Sequence, residues 1–434
     1  MRPSTPATPS GRARLANGSI ERLRSDLRTA PGSGAGLMPS RIAIVGAGPA
    51  GLTAALALRR LGLEVTIVEQ AEDFQRIGGG IVLHDNGQRV LEALGLLESF
   101  RPQLQPCPVI AAELCGGGVL GTVDFGRFSP PLRHLPAVVL RHRLHEHLLA
   151  GARAAGVQVR FGHRVVSVSA AGDAAVLRFA DGASERAAIV LACDGAGSPT
   201  RASLRLPARR RRLTRAYLRG VADLGWQQSR IRELWYPDGR IFGMAPLPGH
   251  RTYFWCTAPL GRWPQTLQAG LDEWIASWAG HDPRPRAVLA AVQDWSRVNY
   301  DEPLEVQARW WWRRPVFLVG DAAHAMTPYL GQGANSALVD ALVLSRLLAV
   351  ELRGQGDLEA VGRRYVAIRG RFTRLVQASS RRQGDLATSH RAPARWLRDR
   401  LLPVFAGTGW IQRRSAMVTA GYNRAEQELL SLGP

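Results

Sequence analysis

Apolar and polar positions change rhythm several times along the 434 residues. Regular patterning begins at "RIAIVGAGPAGLTAALALRRLGLEVTIVEQ", residues 41–70. "IAIV" and "EVTIV" are short apolar runs, the pattern of strands covered on both faces in a parallel sheet. Between them, "AGLTAALALRRLG" is a strong helix former that closes at Gly62. "NGQRVLEALGLL" predicts a second helix, closed at Gly95. Residues 139–156 are amphipathic, with Leu144 and Leu148 facing inward. Residues 157–182 alternate and carry two turn signals, which predicts a small antiparallel meander. "AAIVLACDGAGSPTR", 187–201, is again a buried strand, ending in an Asp-Gly turn.

From about 205 to 315 helical runs shrink and aromatic residues accumulate, among them Trp226, Trp235, Tyr253 and Trp255. "RTYFWCTAP" alternates like a strand with both faces covered, and "LQAGLDEWIASWAG" predicts a helical insertion. Most of these aromatics are expected in the core, with a minority lining a pocket for a flat apolar ligand. "RRPVFLVGDAAH" then returns to the first style, and the chain reads as helical to its end. The fold class is therefore α/β. A Rossmann-like dinucleotide-binding domain occupies 41–204 and returns at 316–350. A mostly antiparallel substrate domain is inserted at 205–315, and a helical region follows at 351–434. Residues 1–40 are rich in Pro, Ser, Gly and Thr and read as a disordered basic tail, with Met38 as an alternative start.

Composition changes this picture in two places. The net charge is +21, and all 56 basic residues are arginine. The arginines are scattered, with one tight run at 209–212, so the charge reads as solvated faces rather than a nucleic-acid surface. The absence of lysine excludes mechanisms that need a lysine amine. The four cysteines show no CxxC spacing, which points to reduced thiols in a cytoplasmic protein without a metal site. No run of 18 apolar residues announces a transmembrane helix.

The chemistry begins at Gly46, Gly48 and Gly51, a G-x-G-x-x-G set between a strand and a helix, with Glu69 about twenty residues on. The first glycine permits the tight turn, the second lets a pyrophosphate approach, and the third lets helix and strand pack closely. Free N–H groups at the helix start favour the phosphates. Ala50 belongs to the same turn, and Glu69 with Gln70 ends the next strand, where a carboxylate can accept from ribose hydroxyls. The glycines ending at Gly80 allow close backbone approach to a ligand, and Arg76 beside them could reach phosphate.

Three motifs stand together in this order: "GAGPAG" with Glu69, "CDGAGSPTR", and "GDAAHAMTPYLGQGAN". Over roughly residues 41–390 the trio resembles the FAD-dependent aromatic hydroxylases, the single-component flavoprotein monooxygenases of the p-hydroxybenzoate hydroxylase fold. The resemblance extends to salicylate- and urate-hydroxylase-like members and to tetracycline-inactivating monooxygenases. Where the former more often show Pro-Asn-Ala, this chain has Asp85-Asn86-Gly87.

The resemblance implies non-covalent FAD and NAD(P)H as a transient co-substrate. O2 and a small electron-rich aromatic or enolic substrate complete the reaction, which is hydroxylation through a C4a-hydroperoxyflavin. It implies FAD contacts at Arg141, at Asp194 and Gly195, and at Gly320 and Asp321. The loop Pro328, Gly331, Gln332, Gly333, Ala334 and Asn335 would lie beside the flavin ring. Such chemistry needs a closed, dry pocket, so a second small-residue loop is expected far from the first fingerprint. No catalytic base is legible; His84, Tyr236 and His250 stand as candidates, and His324 reads as structural. A natural-product tailoring or antibiotic-modifying monooxygenase, acting as a monomer or homodimer, is the expectation. The alternatives are an oxidoreductase or epoxidase on the same scaffold and a basic nucleic-acid- or membrane-binding flavoprotein. Halogenases of similar build rely on an active-site lysine, which this chain lacks.

Overall fold

A computed structural model describes residues 41–406 except 75–78, 129–130, 227, 279–281 and 355, together with 417–421, 423, 426 and 430. The proposed tail at 1–40 and Arg76 lie outside the described residues.

A six-stranded sheet forms the first layer, in the order Trp312–Arg313, Val316–Leu318, Ile189–Ala192, Ile42–Val45, Val65–Val68, Gln158–Arg160. All neighbours are parallel except the outermost Trp312–Arg313 pair. The central strands are buried at every position, which is why their sequences are apolar runs rather than alternations. The helix Pro49–Arg60 follows the first strand, and Gly62 at φ +84° turns the chain out of it. The helix Gly333–Arg353 packs against Pro49–Arg60 and is buried along most of its length. Among the described residues it alone is long and apolar enough to cross a membrane, and here it is the central core helix. The helix Arg141–Ala154 turns Leu144 and Leu148 fully inward, and Val165–Ala171, Ala174–Phe179 and Ser184–Ala187 form the expected meander.

The second layer is a seven-stranded sheet: Val298–Asp301, Arg215–Ala222, Arg251–Pro259, Ile241–Leu247, Arg230–Trp235, Val109–Leu114, Val119–Asp124. It is antiparallel except where Arg230–Trp235 runs parallel to Val109–Leu114. Two of its strands therefore come from upstream of 205, outside the segment whose texture announced a β domain. Helices Trp263–Ala269 and Leu271–Ala276 form the helical insertion, split at Gly270. They cover one face of the sheet with Trp274, Trp278 and neighbouring aromatics. The arginine run at 209–212 lies on the strand Ala208–Arg212, largely exposed. The long helix Leu358–Ala387 and the helix Ala392–Ala406 close the described fold.

A buried charge cluster joins the return segment to the long helix. Asp340, fully buried, accepts from Arg369 Nε at 2.6 Å and pairs with His324 Nε2. Arg369 also pairs with Glu426. The Gly320 N–H donates to Asp340 at 3.2 Å, so the cluster fixes the turn that carries Asp321. His324 is thus accounted for as a structural partner.

Candidate functional site

One cavity of about 1210 Å³ runs from the first glycine turn to the uncovered face of the seven-stranded sheet. Pockets for one small ligand span about 300–1,000 Å³, so this space suits a large cofactor with a second molecule beside it. Its near end is main chain. Gly46 takes φ +100°, and a Cβ there would lie 2.6 Å from the Cys193 carbonyl oxygen. At Gly51 a Cβ would lie 2.0 Å from the Gly46 carbonyl oxygen. At Gly48 a Cβ would meet nothing within 4 Å, and this residue lines the cavity at the start of the helix. The three glycines divide turn, approach and packing as the motif requires, and the open space at Gly48 is a cradle that a phosphate group fits.

Ala50, Gly80, Arg141, Gly195, Asp321, Pro328, Gly331, Gly333 and Ala334 also line the cavity. Gly80 leaves room for Tyr253, whose ring a Cβ would approach to 2.5 Å. Asp321 is exposed to the cavity, and desolvation there raises its carboxyl pKa. Glu69, Gln70, Asp194, Gly320, Gln332 and Asn335 are not on the cavity wall. Glu69 accepts from the backbone N–H of Ala47 at 2.7 Å and of Ala71 at 2.9 Å, fixing the glycine turn to the second strand. Gln70 is exposed. Asp194 accepts from the Thr200 N–H at 3.0 Å.

Gln332 and Asn335 hold the second loop from behind. Gln332 donates to the Thr419 carbonyl at 2.7 Å and accepts from Asn86 Nδ2 at 3.0 Å. Asn335 Nδ2 donates to the Val82 carbonyl at 2.9 Å and to Gly331 at 2.8 Å, while its Oδ1 accepts the His84 N–H. The Asp-Asn-Gly departure belongs to this clamp, because a Cβ at Gly87 would lie 2.1 Å from Asn335 Oδ1. Arg201, in the "SPTR" of the Asp-Gly motif, is buried and donates to the Ala322 and Ala196 carbonyls at 2.7 and 2.8 Å. Arg201 therefore ties the second motif to the third, while Glu69 holds the first glycine turn to its own strand, both through side chains that are not on the cavity wall.

Of the three polar aromatic residues considered as bases, His84 alone reaches the wall. Burial lowers its pKa to about 4 against an opposing hydrogen bond to the Leu330 backbone, so its imidazole is neutral. Tyr236 and His250 lie off the cavity wall. Tyr236 follows cavity-lining Trp235 and so points to the opposite face, where its ring meets Trp278 at 5.3 Å. His250 is exposed in the turn between Ile241–Leu247 and Arg251–Pro259, with φ +55°.

Of the aromatics expected partly to line a pocket, Trp235, Tyr253 and Trp255 do so, and sequence reasoning missed Tyr217, Arg219 and Glu233 beside them on the sheet. Tyr329 of the second loop meets Tyr217 edge to face at 5.9 Å. Burial, then the proximity of Tyr329, pushes the Tyr217 hydroxyl pKa well above its ordinary value. Arg219 is paired with Asp301 at 2.9 Å. The period-two alternation of "AYLRG" put Tyr217 and Arg219 on one face, but nothing local said which face would be covered. Among the described residues no group of three His, Cys, Asp or Glu side chains could hold a metal.

Comparison with known proteins agrees with this geometry. The family model described as "FAD binding domain" matches residues 40–379. The chain is 31% identical to the 3-amino-4-hydroxybenzoate 2-monooxygenase of Streptomyces platensis, over 84% of this chain and 92% of that protein. It is 30% identical to the 6-hydroxynicotinate 3-monooxygenase of Bordetella bronchiseptica, over 78% of this chain and 90% of that one. The solved structure of 2-methyl-3-hydroxypyridine-5-carboxylic acid oxygenase superposes with a TM-score of 0.72 at 26% identity, covering 88% of this chain and 96% of that chain. With the glycine cradle, the clamped second loop and these matches in agreement, the chain belongs to the FAD-binding-domain family of flavin-dependent aromatic monooxygenases.

Proposed function

We propose that the protein is an NAD(P)H- and O2-dependent hydroxylase of an electron-rich aromatic or enolic small molecule, working in the cytoplasm as a monomer or homodimer. One observation carries this reading: the glycine cradle and the aromatic face of the seven-stranded sheet open into a single cavity. Gly48 would receive the FAD pyrophosphate at a helix start, Asp321 would accept from the ribityl chain, and the backbone of Gly331, Gly333 and Ala334 would border the ring. FAD, when bound, supplies electron transfer from NAD(P)H and activation of O2. Overall, one oxygen atom replaces a substrate hydrogen as hydroxyl, the other leaves as water, and NAD(P)H provides the two electrons. Trp235, Trp255, Ile231 and Ile241 offer an apolar wall that excludes water from the reacting centre.

The experiment is an NADH- and NADPH-oxidation screen of the purified flavoprotein over phenols, quinolones, indoles and tetracyclines. Stimulated oxidation with a product heavier by one oxygen supports the reading. Colourless protein that takes up no FAD contradicts it.

A further inference from the structure

One cross-strand row of the seven-stranded sheet runs Asn299, Arg219, Trp255, Gly243, Glu233, Ala112, Gly121. Apart from Gly243, every member lines the cavity. Gly243 lies under Trp255: a Cβ there would come within 1.9 Å of the indole, so only glycine lets that ring lie across the sheet. The laid-over indole donates from Nε1 to Glu233 Oε1 at 3.1 Å, and Trp235 Nε1 donates to Oε2 at 3.4 Å. Beyond Glu233 the row shrinks to Ala112 and Gly121, leaving space in front of the carboxylate.

Glu233 is 9% exposed, and in a chain with 56 arginines none of the described ones pairs with it. Arg219, the cation of its own row, lies beyond Trp255 and is taken by Asp301. Burial raises the Glu233 pKa, opposed by the two indole donors. A buried carboxylate is retained at a cost unless its remaining lone pairs find donors. Each oxygen has one indole N–H and capacity for more. Glu233 lines the same cavity as Tyr217 and as Tyr329 of the second loop.

Resting on the hydroxylase reading above, we propose that Glu233 is the substrate-recognising acceptor, selecting a heteroaromatic ring that presents an N–H, of the 4(1H)-quinolone type. The ring N–H donates to the carboxylate. This orients the ring on the Trp255 side of the cavity and pushes electron density toward the carbon that takes the oxygen. A substrate bearing a carboxylate at this point is repelled by Glu233. The substrates named for the relatives above, a benzoate, a nicotinate and a pyridine carboxylic acid, each carry a carboxylate.

The test uses FAD-loaded protein and two isomeric probes, 2-methyl-4(1H)-quinolone and N-methyl-4-quinolone, titrated against the flavin absorption spectrum. A charge-assisted hydrogen bond predicts binding at least about tenfold tighter for the N–H isomer. Glu233→Leu should keep its flavin and bring the two isomers to within about threefold. Glu233→Gln, which leaves the wall polar, should show an intermediate ratio if the leucine variant does not fold. Equal binding of both isomers by the parent protein overturns the proposal, as does no binding of either or an unchanged ratio in the variants. Tighter binding of 3-amino-4-hydroxybenzoate than of the N–H quinolone also overturns it. Bound flavin and NAD(P)H oxidation in the parent protein report separately on the hydroxylase reading, so either idea can fail alone.

Discussion

Asn335 and His84 are joined across 251 residues of chain: Asn335 Oδ1 accepts the His84 backbone N–H at 3.0 Å. The same amide donates to Val82 and Gly331, so one side chain sets the distance between the strand Gly80–Leu83 and the loop that faces the cavity. Replacing Asn335 with alanine strips three hydrogen-bond partners of their donor or acceptor. Each unsatisfied group costs about 1–3 kcal/mol. The variant should melt lower and hold FAD at least about tenfold more weakly. Unchanged melting and flavin affinity would show that the loop is held by other contacts.

Gly48 and Gly51 should fail in different ways. Gly51→Ala forces a Cβ against the Gly46 carbonyl and should yield little folded protein. Gly48 has extended backbone that any residue adopts, φ −67° and ψ 177°, with open space beyond its Cα. Gly48→Val should therefore fold normally, by circular dichroism and melting, yet not retain FAD. If it retains FAD like the parent chain, the pyrophosphate does not lie at this turn.

Asp340 lies at the centre of a buried cluster with His324 and Arg369. Burial raises its pKa, and the electrostatic attraction and hydrogen bonds of His324 and Arg369 outweigh that, holding the carboxyl below its ordinary value. Removing one member of a buried pair costs roughly 3–5 kcal/mol, so Asp340→Asn should unfold at markedly lower denaturant concentration, with or without FAD. A loss below about 1 kcal/mol would mean the cluster contributes little.

His84 makes stability depend on pH. The unfolded chain protonates this residue near 6.5, and the folded chain resists until about 4. Between these values the unfolded state binds more protons, so stability falls as pH falls through that window and is insensitive to this group above it. The full effect is about 3 kcal/mol. Melting temperatures from pH 7.5 to 4.5 should drop less steeply for His84→Asn than for the parent chain. Parallel curves would contradict the burial of a neutral imidazole.

The parts of the site that were legible in the sequence are those where the main chain itself borders the cavity. Gly46, Gly48 and Gly51 leave a residue-type trace because a Cβ would collide or block, and the loop at 328–335 leaves one for a similar reason. The clamps Gln332 and Asn335 were legible as belonging to the loop, but not as facing away from the cavity. Glu233 and Arg219 were not legible, and which of the aromatics such as Trp255 would line the pocket was not either, because a sheet row brings them together from three strands, and alternation alone does not say which face is covered. The contribution of Val109–Leu114 and Val119–Asp124 to that sheet was hidden for the same reason. Tyr236 shows the converse: the residue type suited chemistry, but one step along the strand turned it into the core with Trp278.

If the cavity holds FAD and an aromatic substrate together, the oxygen atom added to the substrate would come from O2. The direct measurement is turnover under heavy-isotope O2, with the product of the best substrate from the screen analysed by mass spectrometry. The account predicts one heavy oxygen atom per product molecule, with NAD(P)H consumption matching product. Product oxygen drawn from water, or NAD(P)H consumption that ends only in hydrogen peroxide across all four substrate classes, would contradict it.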